Sequence, residues 1–128
     1  LRADFPGGWP GDRVDAFKGR GLSDDVAAAQ DFVSQLFTWR RDATAVHNGD
    51  LLHFAPRDGI YAYFRFNEEQ RVMVIMNNER NAVHLDSSRY AQGLAGATRA
   101  RNVLTGDRHK LSDRIKIPGK TAQVFELD

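Results

Sequence analysis

At 128 residues, 41% of them hydrophobic and 27% charged, the chain is about one domain's worth: long enough for a real core, too short for a large enzyme fold or a second full domain. Lys+Arg 18 against Asp+Glu 17 leaves a formal net charge of +1, which gives no electrostatic footprint for nucleic acid or for an anionic membrane, and both are set aside as partners. Cysteine is absent, which removes disulfides, thiolate metal sites and a cysteine nucleophile together and fits any redox compartment.

The first 22 residues are rich in glycine and proline and lack a sustained apolar period, so they read as an irregular loop. Their start, LRADFPGGWPGD, has no basic-then-apolar signal pattern and opens as if in mid-loop. No later run approaches the roughly 18 apolar residues that a membrane helix needs. Phe5-Pro6-Gly7-Gly8-Trp9 sets two aromatic rings about a rigid bend and two glycines. Such rings can stack on a sugar, or can simply anchor the loop to its own protein, since aromatic side chains are large hydrophobic anchors first.

Ser23 followed by Asp24 and Asp25 marks a helix start, a hydroxyl cap with acidic residues in the positively polarised first turn. Val26, Ala29, Phe32, Val33, Leu36 and Phe37 then recur at steps of three and four, with polar residues opposite, which predicts an amphipathic helix of about five turns ending near Arg40 and Arg41. All the strand signals come later, so this stripe needs a partner of which the chain holds only part.

After Asn48-Gly49 the period switches to two, predicting strands over residues 51–55, 60–66, 71–77, 82–85, 102–104, 109–111, 115–117 and 121–127. The centre is the pair 60–66 and 71–77. In the first, Ile60, Ala62, Phe64 and Phe66 fall on one face and Tyr61, Tyr63 and Arg65 on the other; the second is apolar on both faces, as in a central strand covered on each side. Asn67 to Gln70 form the turn between them. Eight short strands with turn signals between them predict an antiparallel Greek-key β-sandwich, with residues 91–100, AQGLAGATRA, as a long connection between sheets.

No chemistry converges in this pattern. His47, His53, His84 and His109 are scattered with no ligand spacing, so no metal and no cofactor is expected. Ser87 and Ser88 lack the glycine-flanked elbow of a nucleophile, and Gly19-Arg20-Gly21 lacks the third glycine and preceding strand of a dinucleotide site. Paired carboxylates for acid–base hydrolysis stay open, although the acidic residues cluster at turns and caps, where such groups are normally solvated. These residues point to a module that binds or supports and does not itself catalyse.

Read together, RADFPGGWPGD, DFVSQLFTWRRDATAVHNGDLLHFAP, VMVIMNN, NVLTGD and IKIPGKTAQVFEL resemble the tail of an α-amylase-family glycoside hydrolase, nearest the bacterial neopullulanase and cyclomaltodextrinase branch. The resemblance covers almost the whole chain. It implies that residues 1–47 are the loop and last helix of a catalytic (β/α)8 barrel, with 1–22 the loop after the eighth strand and 23–41 the eighth helix. Residues 48–128 would be the β-sandwich called domain C. It implies substrate contact by Arg2, which matches a loop arginine that touches a donor-side glucose, and Trp9 is the second expected substrate-binding residue. The usual acidic companion of that arginine would lie upstream of residue 1. The family's catalytic carboxylates sit on earlier barrel strands, outside this chain, so Asp4 and Asp12 do not take their place. The expected partners are therefore an α-glucan or maltooligosaccharide, reached through the parent enzyme, the missing barrel, and a second copy of the chain through the exposed helix stripe. A different class of function is a sugar-binding module using Tyr61, Tyr63 and Arg65 as an exposed aromatic face. The compartment is not legible; for a parent of this kind it would be periplasmic or extracellular.

Overall fold

The computed structural model describes residues 5–112 and 114–128. Along them run α1 (Asp24–Asp42), α2 (Thr44–Asn48), β1 (Asp50–Arg57), β2 (Ile60–Phe66), β3 (Arg71–Asn77), β4 (Val83–His84), α3 (Ala91–Leu94), β5 (Arg99–Asn102), β6 (Arg108–Lys110), β7 (Lys116–Ile117) and β8 (Thr121–Leu127). The chain divides between Phe37 and Thr38 into two units, each with its own internal contacts.

In the first unit the loop is irregular but tied. Asp15 and Arg20 exchange backbone hydrogen bonds of 2.8 and 2.9 Å, and the buried Asp15 carboxylate accepts from the N–H groups of Phe17 and Lys18. Gly7, at φ +105°, lies so close that a Cβ there would sit 2.7 Å from Asp15 Cα, which explains a glycine at that point. Gln30 reaches from α1 to Ala16 O at 2.7 Å. The helix itself carries no buried residue, and Val26, Phe32, Val33 and Phe37 are 47–59% exposed.

The second unit is the β-sandwich. Six strands form one sheet in the order β1-β2-β3-β8-β5-β6, and β4 pairs with β7 in a second, two-stranded sheet. The last strand thus inserts between the third and the fifth, a Greek-key return. The alternation in β2 works as its sequence requires. Ala62 and Phe64 face Ile75 and Met73 in register, and with Phe125, Leu85, Ile115, Ile117 and Tyr90 they make one core between the sheets. The β2–β3 turn is closed by Asn67, whose Oδ1 accepts from the N–H groups of Glu69 and Gln70 at 3.0 and 2.8 Å.

At three places the structure differs from, or adds to, what the sequence predicts. β5 starts at Arg99 and not at Asn102, because Thr98 and Arg99 donate their N–H groups to Asp128 O, while the Asn102 side chain accepts from Leu104 and Thr105 and turns the chain there. The 91–100 connection does cross between sheets, but it begins with α3, whose Gly93 is needed because a Cβ would lie 2.3 Å from the Phe64 ring. And α2 occupies residues to which the sequence assigns no element; five residues are too few to show a helical period.

Candidate functional surface

Residues two apart on a strand share a face, so the side of the large sheet turned away from the core is set by register. It carries Leu51 and His53 of β1, Tyr61, Tyr63 and Arg65 of β2, Val72, Val74 and Met76 of β3, and Ala122, Val124 and Glu126 of β8. Burial changes along β3: Val72 is 0% exposed, Val74 half-buried and Met76 38% exposed. One end of this outer face is therefore covered and the other is open. The expectation of a strand covered on both sides holds only at the Val72 end.

The cover is the last turn of α1 together with α2. Trp39 Nε1 donates to Glu126 Oε1 at 2.7 Å, Gln70 Nε2 donates to the same oxygen at 3.1 Å, and Arg101 pairs with the other carboxylate oxygen. Hydrogen bonds to an ionised acceptor are the stronger class, so one carboxylate fastens helix, hairpin and β5 at a point. Around it Arg65 donates to the carbonyls of Ala45 and Val46 at 3.2 and 3.1 Å, Gln70 Oε1 accepts from Ala45 N, and Asn67 Nδ2 donates to Thr44 Oγ1. Orphan groups of a very short helix are thus satisfied by side chains of the β2–β3 hairpin.

At the open end the Tyr61 and Tyr63 rings lie 5.8 Å apart at 40°, and His53 meets Tyr61 edge-on at 6.4 Å. A hollow of about 420 Å³ runs beside them, lined by Arg40, Val46, Leu51, Tyr61, Tyr63 and Arg65. Burial pushes the Tyr63 hydroxyl pKa up, with Tyr61 adding and Arg65 opposing, so the ring stays neutral. Of the expected aromatic face the two tyrosines are in place. Arg65 is not a free cation on it, because its guanidinium is committed to α2.

The loop residues fall elsewhere. Arg2 and Asp4 lie outside the described residues. Trp9 is 79% exposed, with its backbone N–H donating to Asp12 Oδ2 at 3.0 Å, while Phe5 turns onto Phe17 with ring centroids 5.1 Å apart. Phe5 thus anchors the loop to itself, and Trp9 presents its ring to solvent. Within the same unit an apolar hollow of about 530 Å³ opens among Phe5, Pro6, Ala16, Val26, Ala29 and Val33. His47 Nε2 lies 2.8 Å from Arg40 O, His109 meets the Phe125 ring, and among the described residues no group of three or more His, Asp or Glu is placed to hold a metal. The Glu126 cluster was not foreseen from sequence. Its one signal is an acidic residue in line with Ala122 and Val124 on the outward side of the strand TAQVFEL.

Residues 51–126 match the family described as the cyclomaltodextrinase C-terminal domain. Solved structures share the fold. A variant of AmyP in complex with maltotriose is 19% identical with TM-score 0.70, over 91% of this chain and 23% of that one. An Anoxybacillus α-amylase is 23% identical with TM-score 0.64, over 94% and 26%. The Geobacillus thermoleovorans α-amylase, complexed with acarbose, is 16% identical with TM-score 0.59, over 91% and 27%. The chain spans about a quarter of the length of each.

Proposed function

Because the chain belongs to the cyclomaltodextrinase C-terminal domain family, we propose that it is the non-catalytic C-terminal module of an α-amylase-type enzyme that hydrolyses α-glucans, supporting one side of the catalytic barrel. Residues 1–47 then supply the barrel's last loop and helix, and 48–128 the module. The observation that carries this reading is the outer sheet face, fastened to the end of α1 through Glu126 and left open and apolar at Leu51, Tyr61, Val74 and Met76. A face built this way calls for a partner with apolar area of its own. The half-exposed stripe of α1 calls for the barrel's strands in the same manner. The maltotriose and acarbose bound by two of the similar enzymes support α-glucan as the substrate class. On this reading Arg2 contacts a donor-side glucose and Trp9 stacks on the sugar.

The chain itself should release no reducing ends from starch, pullulan or cyclodextrins, since on this reading the two positioned carboxyl groups that glycoside cleavage needs lie on barrel strands outside these 128 residues. Turnover that disappears on mutating Asp12 would overturn this. A second reading, a sugar-binding module, is favoured by the half-exposed tyrosine pair, although rings tilted by 40° are not one flat platform. Maltose quenching of tyrosine fluorescence that is lost in Tyr61→Ala would support it over docking. The stripe of Val26, Phe32, Val33 and Phe37 offers a further contact, a homodimer through the helix; light scattering across a concentration series should show a dimer in the chain and a monomer in Phe37→Asp.

A further inference from the structure

The chain of the β-sandwich leaves a second hollow, where the connection after α3 meets the β5–β6 hairpin. Its volume is about 620 Å³, within the roughly 300–1,000 Å³ of small-molecule sites. Leu94 and Leu111 give it an apolar floor, Ser87, Ser88 and Thr98 bring hydroxyls, and Arg99 and Lys110 bring positive charge; among the described residues its lining holds no carboxylate.

The register makes that charge costly. Arg99 lies directly opposite Lys110, and Arg101 opposite Arg108, two successive like-charged cross-strand pairs, an arrangement that destabilises a sheet. Arg101 is relieved by Glu126. Among the described residues Arg99, Arg108 and Lys110 have no ion pair, and Asp128, which exchanges backbone hydrogen bonds with Arg99, forms none with it. Protection of a sheet edge accounts for cations on the edge strand β6. It does not account for Arg99, which sits on β5 between β8 and β6.

We propose that this hollow binds a phosphorylated sugar, a site that goes beyond a supporting role. The guanidinium fork of Arg99 and the ammonium of Lys110 match a phosphoryl group, whose charge removes the repulsion between them. The serine and threonine hydroxyls exchange hydrogen bonds with the sugar's own. Ser88 donates its proton to Asp86 at 2.6 Å and so offers its oxygen as an acceptor. The leucine floor takes the C–H face of the ring. A neutral glucan lacks a counterpart for the cations and finds no aromatic ring among the described lining residues.

The test is a titration of the isotope-labelled chain with glucose 6-phosphate, followed through the amide resonances. Saturable shifts are expected at Ser87, Ser88, Thr98, Arg99 and Lys110, with maltose inert there and inorganic phosphate much weaker. The Arg99→Gln, Lys110→Gln double variant should weaken binding by about tenfold or more while raising Tm, since the repulsion is gone; Arg57→Gln, at the end of β1, should leave binding unchanged. If the double variant fails to fold, Lys110→Gln alone gives the same reading. Shifts absent from these residues, maltose or inorganic phosphate matching glucose 6-phosphate, or undiminished binding in the variant would each overturn the proposal.

Discussion

Phe64 and Tyr63 are neighbours in sequence with different energetic weight. Phe64 is 0% exposed against Tyr90 and Phe54, while Tyr63 is half-buried on the outer face. Phe64→Ala should cost about 3–5 kcal/mol and Tyr63→Ala distinctly less, read from denaturant melts. Alternation alone made that inward face legible. Gly93 was not: nothing in AQGLAGATRA says which glycine meets a ring, because the Phe64 contact is made across 29 residues of chain. Gly93→Ala should destabilise by about 1–3 kcal/mol through overpacking. Asp86 gives a pH-dependent counterpart. The hydrogen bond from the Ser88 hydroxyl, aided by backbone N–H groups and Arg89, holds its pKa below the ordinary carboxylate value. A carboxylate whose folded pKa is depressed contributes above the unfolded pKa and loses that contribution as pH falls through the folded one. Ser88→Ala should move the Asp86 titration up toward the ordinary value, visible by NMR.

At the scale of elements the fastening point is Glu126. Its carboxylate joins Trp39 at the end of α1, Gln70 in the β2–β3 turn and Arg101 on β5, three elements that share no sequence neighbourhood. Glu126→Gln should cost about 1–3 kcal/mol, because the amide keeps one neutral acceptor oxygen and puts a donor in place of the other, so that one of the two sets of partners loses its acceptor and Arg101 loses its counter-charge. Trp39→Phe should cost less, and a double-mutant cycle between the two should show coupling, which separates a direct bond from general loosening. Strand existence was legible here because period two survives in a short window. Positions of β5 and α2 were not, since the first is set by pairing with Asp128 and Leu127 at the other end of the module and the second by side chains of a hairpin some 20 residues on.

For the molecule as a whole, two of the exposed apolar surfaces among the described residues bear on the proposed function, the outer face near Met76 and the helix stripe. Their composition was visible in sequence, but how far each stays open was not. On the proposed function Met76 is solvent-exposed in the chain by itself and covered in the enzyme that carries the module. The most direct measurement is therefore the thermal unfolding of Met76→Asp in both contexts. A surface substitution away from special features changes stability by about 0.5 kcal/mol or less, whereas a charge placed in an apolar interface without a partner costs far more. The account predicts nearly equal Tm for wild type and variant as the 128-residue chain, and a clear fall in Tm together with loss of α-glucan hydrolysis in the enzyme that carries it. Equal stability and activity of wild type and variant in that enzyme would contradict docking through the outer face.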